Sequence, residues 1–111
     1  MTVATTPIRQ LRKTVLIAAT TAMMTAPVVA ADPQNGHDLA AKWCAACHVV
    51  ENDQSAASAD VPSFEGISNR ADFDAESLKV FLIDPHPKMP NMNLSRLEIE
   101  DLVAYIGSLK N

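Results

Sequence analysis

The clearest periodicity lies near the end of the chain. Ile99, Leu102, Val103 and Ile106 fall at i, i+3, i+4 and i+7 and make one apolar stripe. Ser95 and Glu98 stand ahead of it at capping-box spacing, and Leu94 with Ile99 forms the matching hydrophobic staple. These signals predict a terminal helix that begins after Ser95. Upstream, Leu78, Phe81 and Leu82 recur at helical spacing behind Asp74, a good N-cap residue with Glu76 in the first turn. Phe73 and Leu78 supply a second staple. Asp84-Pro85 ends that helix, because the residue before a proline is pushed out of helical angles. A first helix is expected from Asn35 or Gly36 through Leu39, Ala40 and Trp43 to the cysteines, and a short helical turn at Ser63–Ser68 carries Phe64 and Ile67. Residues 49–62 between them are polar and small and predict a surface loop. No stretch alternates as a strand would, and no internal repeat is visible, so the expected fold class is all-α.

The first part of the chain is of another kind. Positions 1–31 hold Arg9, Arg12 and Lys13 and no acid, and an uncharged run rich in Ala, Val, Leu and Met extends from Thr14 to Ala31. A basic start, an apolar middle and a small-residue exit describe a secretory signal peptide. Cleavage after Ala30 places Val28 at −3, and cleavage after Ala31 places Val29 there. As an uncleaved anchor the run is barely long enough to span a bilayer, and its threonines and Pro27 weaken it. The expected organisation is a leader over 1–31 and one domain over 32–111, exported to the periplasm and free of the membrane once cleaved.

Removing the leader leaves six basic residues against thirteen acidic ones, a formal charge of −7. That balance argues against nucleic acid, whose phosphates call for a basic face. It suits a soluble protein, and also one steered toward a basic patch on a partner. About 80 residues make a marginal core, so a domain of this size calls for a stabiliser. Two cysteines three positions apart close at most one tiny disulfide loop, and the stabiliser is therefore expected to be something bound.

Cys44-Ala45-Ala46-Cys47-His48 names that group, for it is the c-type haem attachment motif. Two intervening residues set the thiols about one helical turn apart, which matches two vinyl groups on neighbouring pyrroles. The next residue, His48, then offers an imidazole nitrogen to the iron. A thioredoxin-like Cys-x-x-Cys belongs in a βαβ pattern that is absent from this sequence. A zinc site needs four ligands, and the spare His37 and His86 stand outside zinc-finger spacing. A plain disulfide gives no reason for His48.

An electron-transfer haem takes a second axial ligand, and thioether sulfur raises its potential. After the leader only Met89 and Met92 supply sulfur. The linker Asp84–Leu94 contains Pro85, Pro87 and Pro90, which stiffen it by fixing φ. Met89 lies inside this stiffened loop and is favoured; Met92 lies three residues before Ser95, and the methionine that does not ligate is a core filler. His86, between two prolines, is a lesser candidate expected at the loop surface, and His37 is expected to be solvated.

With these motifs the chain resembles the small soluble class I cytochromes c of bacteria, from Gly36 to Leu109. The resemblance rests on Gly36 eight residues before Cys44, the motif 44–48, Pro62 in the following loop, and Met89-Pro90 ahead of a terminal helix bearing Leu102 and Tyr105. It implies three to five short helices wrapped around one haem c, held through Cys44 and Cys47, with the first and last helices crossing. Gly36 would permit that close approach, and Leu102 and Tyr105 would pack there. Ala40 occupies the family's aromatic position on the first helix, with Trp43 as a possible replacement. The resemblance also implies that the Pro62 carbonyl accepts a hydrogen bond from His48, and that Met89 is the thioether ligand, by its distance from the terminal helix.

The function expected is a single-electron carrier, monomeric, serving redox partner proteins. No nucleophile–base pair, acid dyad or phosphate loop suggests catalysis. The alternatives are a dedicated haem subunit of a dehydrogenase or oxidase complex, or a haem with an open sixth site for gas or peroxide. Lys42 and Lys88 flank the expected ligands and either line a docking face or are ordinary surface lysines, the latter being the simpler expectation.

Overall fold

The computed structural model of the chain describes residues 1–2, 25–55, 57, 60–85 and 88–111. Most of the expected leader, positions 3–24, lies outside the described residues, as does His86. Four helices follow in order: α1 (Pro33–Trp43), α2 (Phe64–Ser68), α3 (Ala75–Ile83) and α4 (Arg96–Ser108). No strand occurs among the described residues, and no helix among them is long and apolar enough to cross a membrane.

Each helix starts on a side-chain oxygen that takes up orphan backbone N–H groups. Asp74 accepts from Ser77 N at 2.8 Å, and Ser63 accepts from Gly66 N at 3.0 Å. The capping box of α4 is closed both ways: Ser95 N donates to Glu98 Oε2 at 2.7 Å and Glu98 N donates to Ser95 Oγ at 3.3 Å. The start of α1 differs from expectation. It begins at Pro33 rather than at Asn35 or Gly36, because Asp32 is the N-cap, accepting from Gln34 N at 2.9 Å and Asn35 N at 3.3 Å. Proline at the first helical position has no N–H to leave unpaired, so Asp32-Pro33 is itself a start signal.

The fold is centred on α1 packed against α4. Gly36 faces α4 so closely that a Cβ there would lie 2.1 Å from the Asp101 carbonyl oxygen and 2.8 Å from Tyr105 Cβ. Around this contact Ala40, Cys44, Val50, Phe64, Leu102, Tyr105 and Ile106 form the buried core. The helix α3 lies over one side through Leu78 and Leu82, one turn apart, while Val80 and Ile83 on its other side are exposed.

The position that carries Ala40 is fully buried, and Trp43 does not replace the missing aromatic contact. Trp43 is exposed, with Lys42 Nζ 4.7 Å above its ring. The ring that meets Tyr105 is that of His37, edge-on at 5.2 Å between centroids. His37 is therefore half-buried, not solvated as expected, and its Nε2 lies 2.8 Å from Glu51 Oε2. It reaches both partners because it follows Gly36 on the face turned toward α4 and the loop after His48.

Candidate haem-binding site

The end of α1 presents the three chemical groups of the motif from one compact turn. The Ala40 carbonyl accepts from both Cys44 N at 2.9 Å and Ala45 N at 3.0 Å. The chain then tightens, with Cys47 N at 3.0 Å and His48 N at 2.8 Å both donating to the Cys44 carbonyl. Cys44 and Cys47 are free thiols, the first buried and the second exposed. Burial pushes the Cys44 thiol up to about 11, with the charge of Cys47 adding to the shift. At neutral pH Cys44 is thus a neutral S–H, poorly disposed to attack a disulfide.

The His48 imidazole is held from two sides. Its Nδ1 lies 2.7 Å from the Pro62 carbonyl oxygen, an acceptor only, so that nitrogen carries the proton and donates. Its ring lies against that of buried Phe64, with 5.4 Å between centroids and 50° between planes. Phe64 is fixed in turn at the start of α2, and its N–H donates to the Val49 carbonyl at 2.9 Å. With Nδ1 protonated, Nε2 keeps its lone pair, which is the tautomer a metal-binding histidine needs. The proton on Nδ1 follows from the chemistry of its partner.

Gln54, in the loop expected to be mere surface, braces the turn from below. Its Oε1 accepts from Val50 N at 2.9 Å, and its Nε2 donates to the Ala45 carbonyl at 3.0 Å and the His48 carbonyl at 2.8 Å. Tyr105 on α4 adds a bond from its hydroxyl to the Val50 carbonyl at 2.7 Å, buried at both ends. Sequence reasoning missed Gln54 because nothing in a polar loop marks which amide points inward; a lone Gln six residues past the histidine carries no motif.

Met89 and Met92 are both half-buried on the non-helical stretch between α3 and α4. Burial therefore does not separate them, but the backbone around them differs. Met89 stands before Pro90, whereas Met92 precedes Asn93, a left-handed residue at φ 51° whose N–H is taken by Asn91 Oδ1 at 2.8 Å.

The site fits a covalently held haem in its donor set: two free thiols one turn apart, an imidazole with Nε2 available, and an apolar core alongside. Residues 31–106 match the family described as cytochrome c oxidase, cbb3-type, subunit III. This chain belongs to the cytochrome c family. It is also similar to cytochrome c-552 of Bradyrhizobium diazoefficiens, 60% identical over 82 residues that cover 74% of this chain and 79% of the relative. No solved structure matched. Membership of the cytochrome c family brings a covalently bound haem c, and the chain carries two cysteines to hold it. The protein is accordingly a haem-containing electron carrier with the all-α fold expected of it, and other redox proteins are its partners.

Proposed function

We propose that the protein is a periplasmic single-electron carrier, not an enzyme, whose haem is held by Cys44 and Cys47 and ligated by His48 and Met89. The observation that carries this reading is the 2.7 Å bond from His48 Nδ1 to the Pro62 carbonyl. It sets the tautomer and the ring orientation before any metal is bound. When bound, the haem supplies a one-electron couple between ferric and ferrous iron. The chain's own residues hold the ligands still. Pro62 keeps the ring proton in place, Phe64 blocks rotation of the imidazole, and Gln54 and Tyr105 fix the backbone that bears it. A second ligand on a loop stiffened by Pro85 and Pro90 changes little between oxidation states, and little rearrangement favours fast, reversible transfer. Thioether sulfur at that position raises the potential.

The leader over positions 1–31, cleaved after Ala30 or Ala31, and the domain over 32–111 belong to the same proposal. Export accounts for covalent attachment, since a loosely bound cofactor is lost by dilution outside the cell. The mature chain is then soluble and monomeric. A fixed subunit of an oxidase complex is the second reading, and two observations favour it: the match to a family of cbb3-type oxidase subunits, and the exposed apolar residues Val80, Ile83 and Leu97. Purification from the periplasm at physiological salt separates the two, a free carrier eluting at the mass of one mature chain.

The ligand assignment is tested with matured wild type, Met89→Ala and Met92→Ala. The oxidised wild type is expected to show the red sulfur-to-iron charge-transfer band, lost in Met89→Ala and kept in Met92→Ala. The reverse pattern would move the ligand to Met92. A wild type without the band would put an open sixth site or a second histidine in its place.

A further inference from the structure

The backbone nitrogen of Asp32, one residue ahead of α1, ties the start of that helix to α4. The Asp32 carboxylate caps α1, and its carbonyl accepts from Gly36 N at 3.0 Å. Its nitrogen lies 2.6 Å from Asp101 Oδ1 on α4, and Asp101 Oδ2 accepts from Asn35 Nδ2 at 2.7 Å. This is the place where Gly36 lets the two helices touch, against the Asp101 backbone itself. On the other side of that nitrogen, residues 25–31 have no regular secondary structure and are exposed, and among the described residues Ala30 and Ala31 enter no hydrogen bond.

Cleavage after Ala30 and cleavage after Ala31 satisfy the small-residue rule equally well, but they deliver different groups to Asp101. When water adds across the Ala31–Asp32 peptide bond, Ala31 leaves as the carboxylate of the leader. The Asp32 nitrogen becomes an ammonium, already within bonding distance of a carboxylate. Cleavage one residue earlier leaves a neutral amide there and sets the ammonium one residue further along the chain. A separation of 2.6 Å is short for an amide N–H, which prefers about 2.9–3.0 Å. The carboxylate makes this a charge-assisted bond whichever group donates, and an ammonium in the same place adds a full counter-charge to it. The helix dipole disfavours a positive charge at this end of α1. Asp32 itself and Asp101 offset it, and Glu98, which feels the charge of Asp101 on the same helix, adds to the negative field.

We propose that the export peptidase cuts between Ala31 and Asp32, and that the new α-ammonium pairs with Asp101, so that processing itself fastens α1 to α4. The inference rests on the export reading given above and specifies its product. The test uses holoprotein recovered from the periplasm of a host that exports it by its own leader. Intact mass and N-terminal sequencing give the cut. The rate at which acetic anhydride acylates the α-amine, followed against pH, gives the amine's pKa. The expected N-terminus is Asp32. In Asp101→Asn the amine loses its counter-charge and acylates about three to ten times faster at neutral pH. Asn35→Ala, which removes the other donor to Asp101, leaves the rate of the amine as in wild type. A variant with one extra alanine ahead of Asp32 in the mature chain acylates like Asp101→Asn. An N-terminus at Ala31, or a wild-type rate in Asp101→Asn, overturns the proposal and leaves the carrier reading standing. A holoprotein that keeps its whole leader overturns the export reading with it.

Discussion

The chain contains three glycines in helices, and the structure assigns each a different consequence when it becomes alanine. At Gly36 a new Cβ would meet the Asp101 carbonyl oxygen at 2.1 Å, the Asp101 carbonyl carbon at 2.6 Å and Tyr105 Cβ at 2.8 Å. Ordinary contact begins near 3.5 Å, so α1 and α4 must separate by about 1.4 Å. Two of the three obstacles are backbone, and no change of rotamer removes them. Overpacking of this kind costs about 1–3 kcal/mol. Moving α4 also loosens the two hydrogen bonds on Asp101 and the buried Tyr105 bond to Val50, at roughly 1 kcal/mol each when lost. The better helix propensity of alanine returns at most about 1 kcal/mol.

The net loss for Gly36→Ala is about 3 kcal/mol. In a domain of this size that lowers the melting temperature by roughly 10 to 20 °C. Gly107 provides the control, since its Cβ would meet only the Phe73 ring at 3.8 Å. Gly107→Ala is expected to be neutral or stabilising by about 0.5 kcal/mol. Gly66 is intermediate, with Ser63 Oγ at 3.0 Å, and its alanine variant is expected within about 0.5 kcal/mol of wild type because that hydroxyl can shift. The assay is thermal unfolding of the matured proteins, followed by far-ultraviolet circular dichroism. A Gly36→Ala protein that melts within about 3 °C of wild type refutes the close-contact argument.

Other substitutions test the bonds around the motif. Tyr105→Phe leaves the buried Val50 carbonyl without its donor and is expected to cost about 1–3 kcal/mol in urea unfolding. Gln54→Ala removes one acceptor and two donors from the turn; faster hydrogen exchange at the Val50 amide is expected, together with a shift of the reduction potential because the His48 backbone is no longer braced. The His37 pKa is raised, chiefly by Glu51 and then by Asp38, so protonated His37 stabilises the fold below the ordinary histidine value and the gain is lost as pH rises through the raised folded value. Glu51→Gln should flatten this dependence, a difference of at most about 0.5–1 kcal/mol between roughly pH 6 and 8 for a half-buried pair still reached by solvent.

Helix starts were legible wherever two signals agreed. Ser95 with Glu98 and Asp74 with its staple were readable because a cap and an apolar period coincide there. The start of α1 was less so: Asp32-Pro33 falls at the first two positions after the leader, with no apolar period ahead of Leu39 to mark it, and the helix was expected from Asn35 or Gly36 instead. The motif 44–48 and the likeness to class I cytochromes c pointed to Pro62, and the structure brings Pro62 to His48. His37 could not be placed from sequence, because its partners Glu51 and Tyr105 lie 14 and 68 positions away and no period links them. Gln54 could not be placed for the same reason: a side-chain amide that replaces backbone pairing leaves no trace in hydrophobic pattern.

The side chains around the motif explain how so small a core holds a histidine ring in one orientation. The covalent motif lies at the end of α1, and a helix end frays unless something satisfies the turn that follows it. Here the turn is held by a ring of unlike contacts. Gln54 takes its carbonyls, Tyr105 reaches from α4 to the next residue, Pro62 receives the ring proton, and Phe64 lies against the ring face. Three of these come from loops or from the two-turn neighbourhood of α2, and only Tyr105 comes from the helix pair. The α1–α4 contact at Gly36 matters to the site through Tyr105: if the helices part, the hydroxyl leaves Val50, two residues from His48. Stability and the orientation of the His48 ring are thus coupled through one bond, and Tyr105→Phe should weaken both, whereas Gly107→Ala, whose new Cβ meets only the Phe73 ring, should weaken neither.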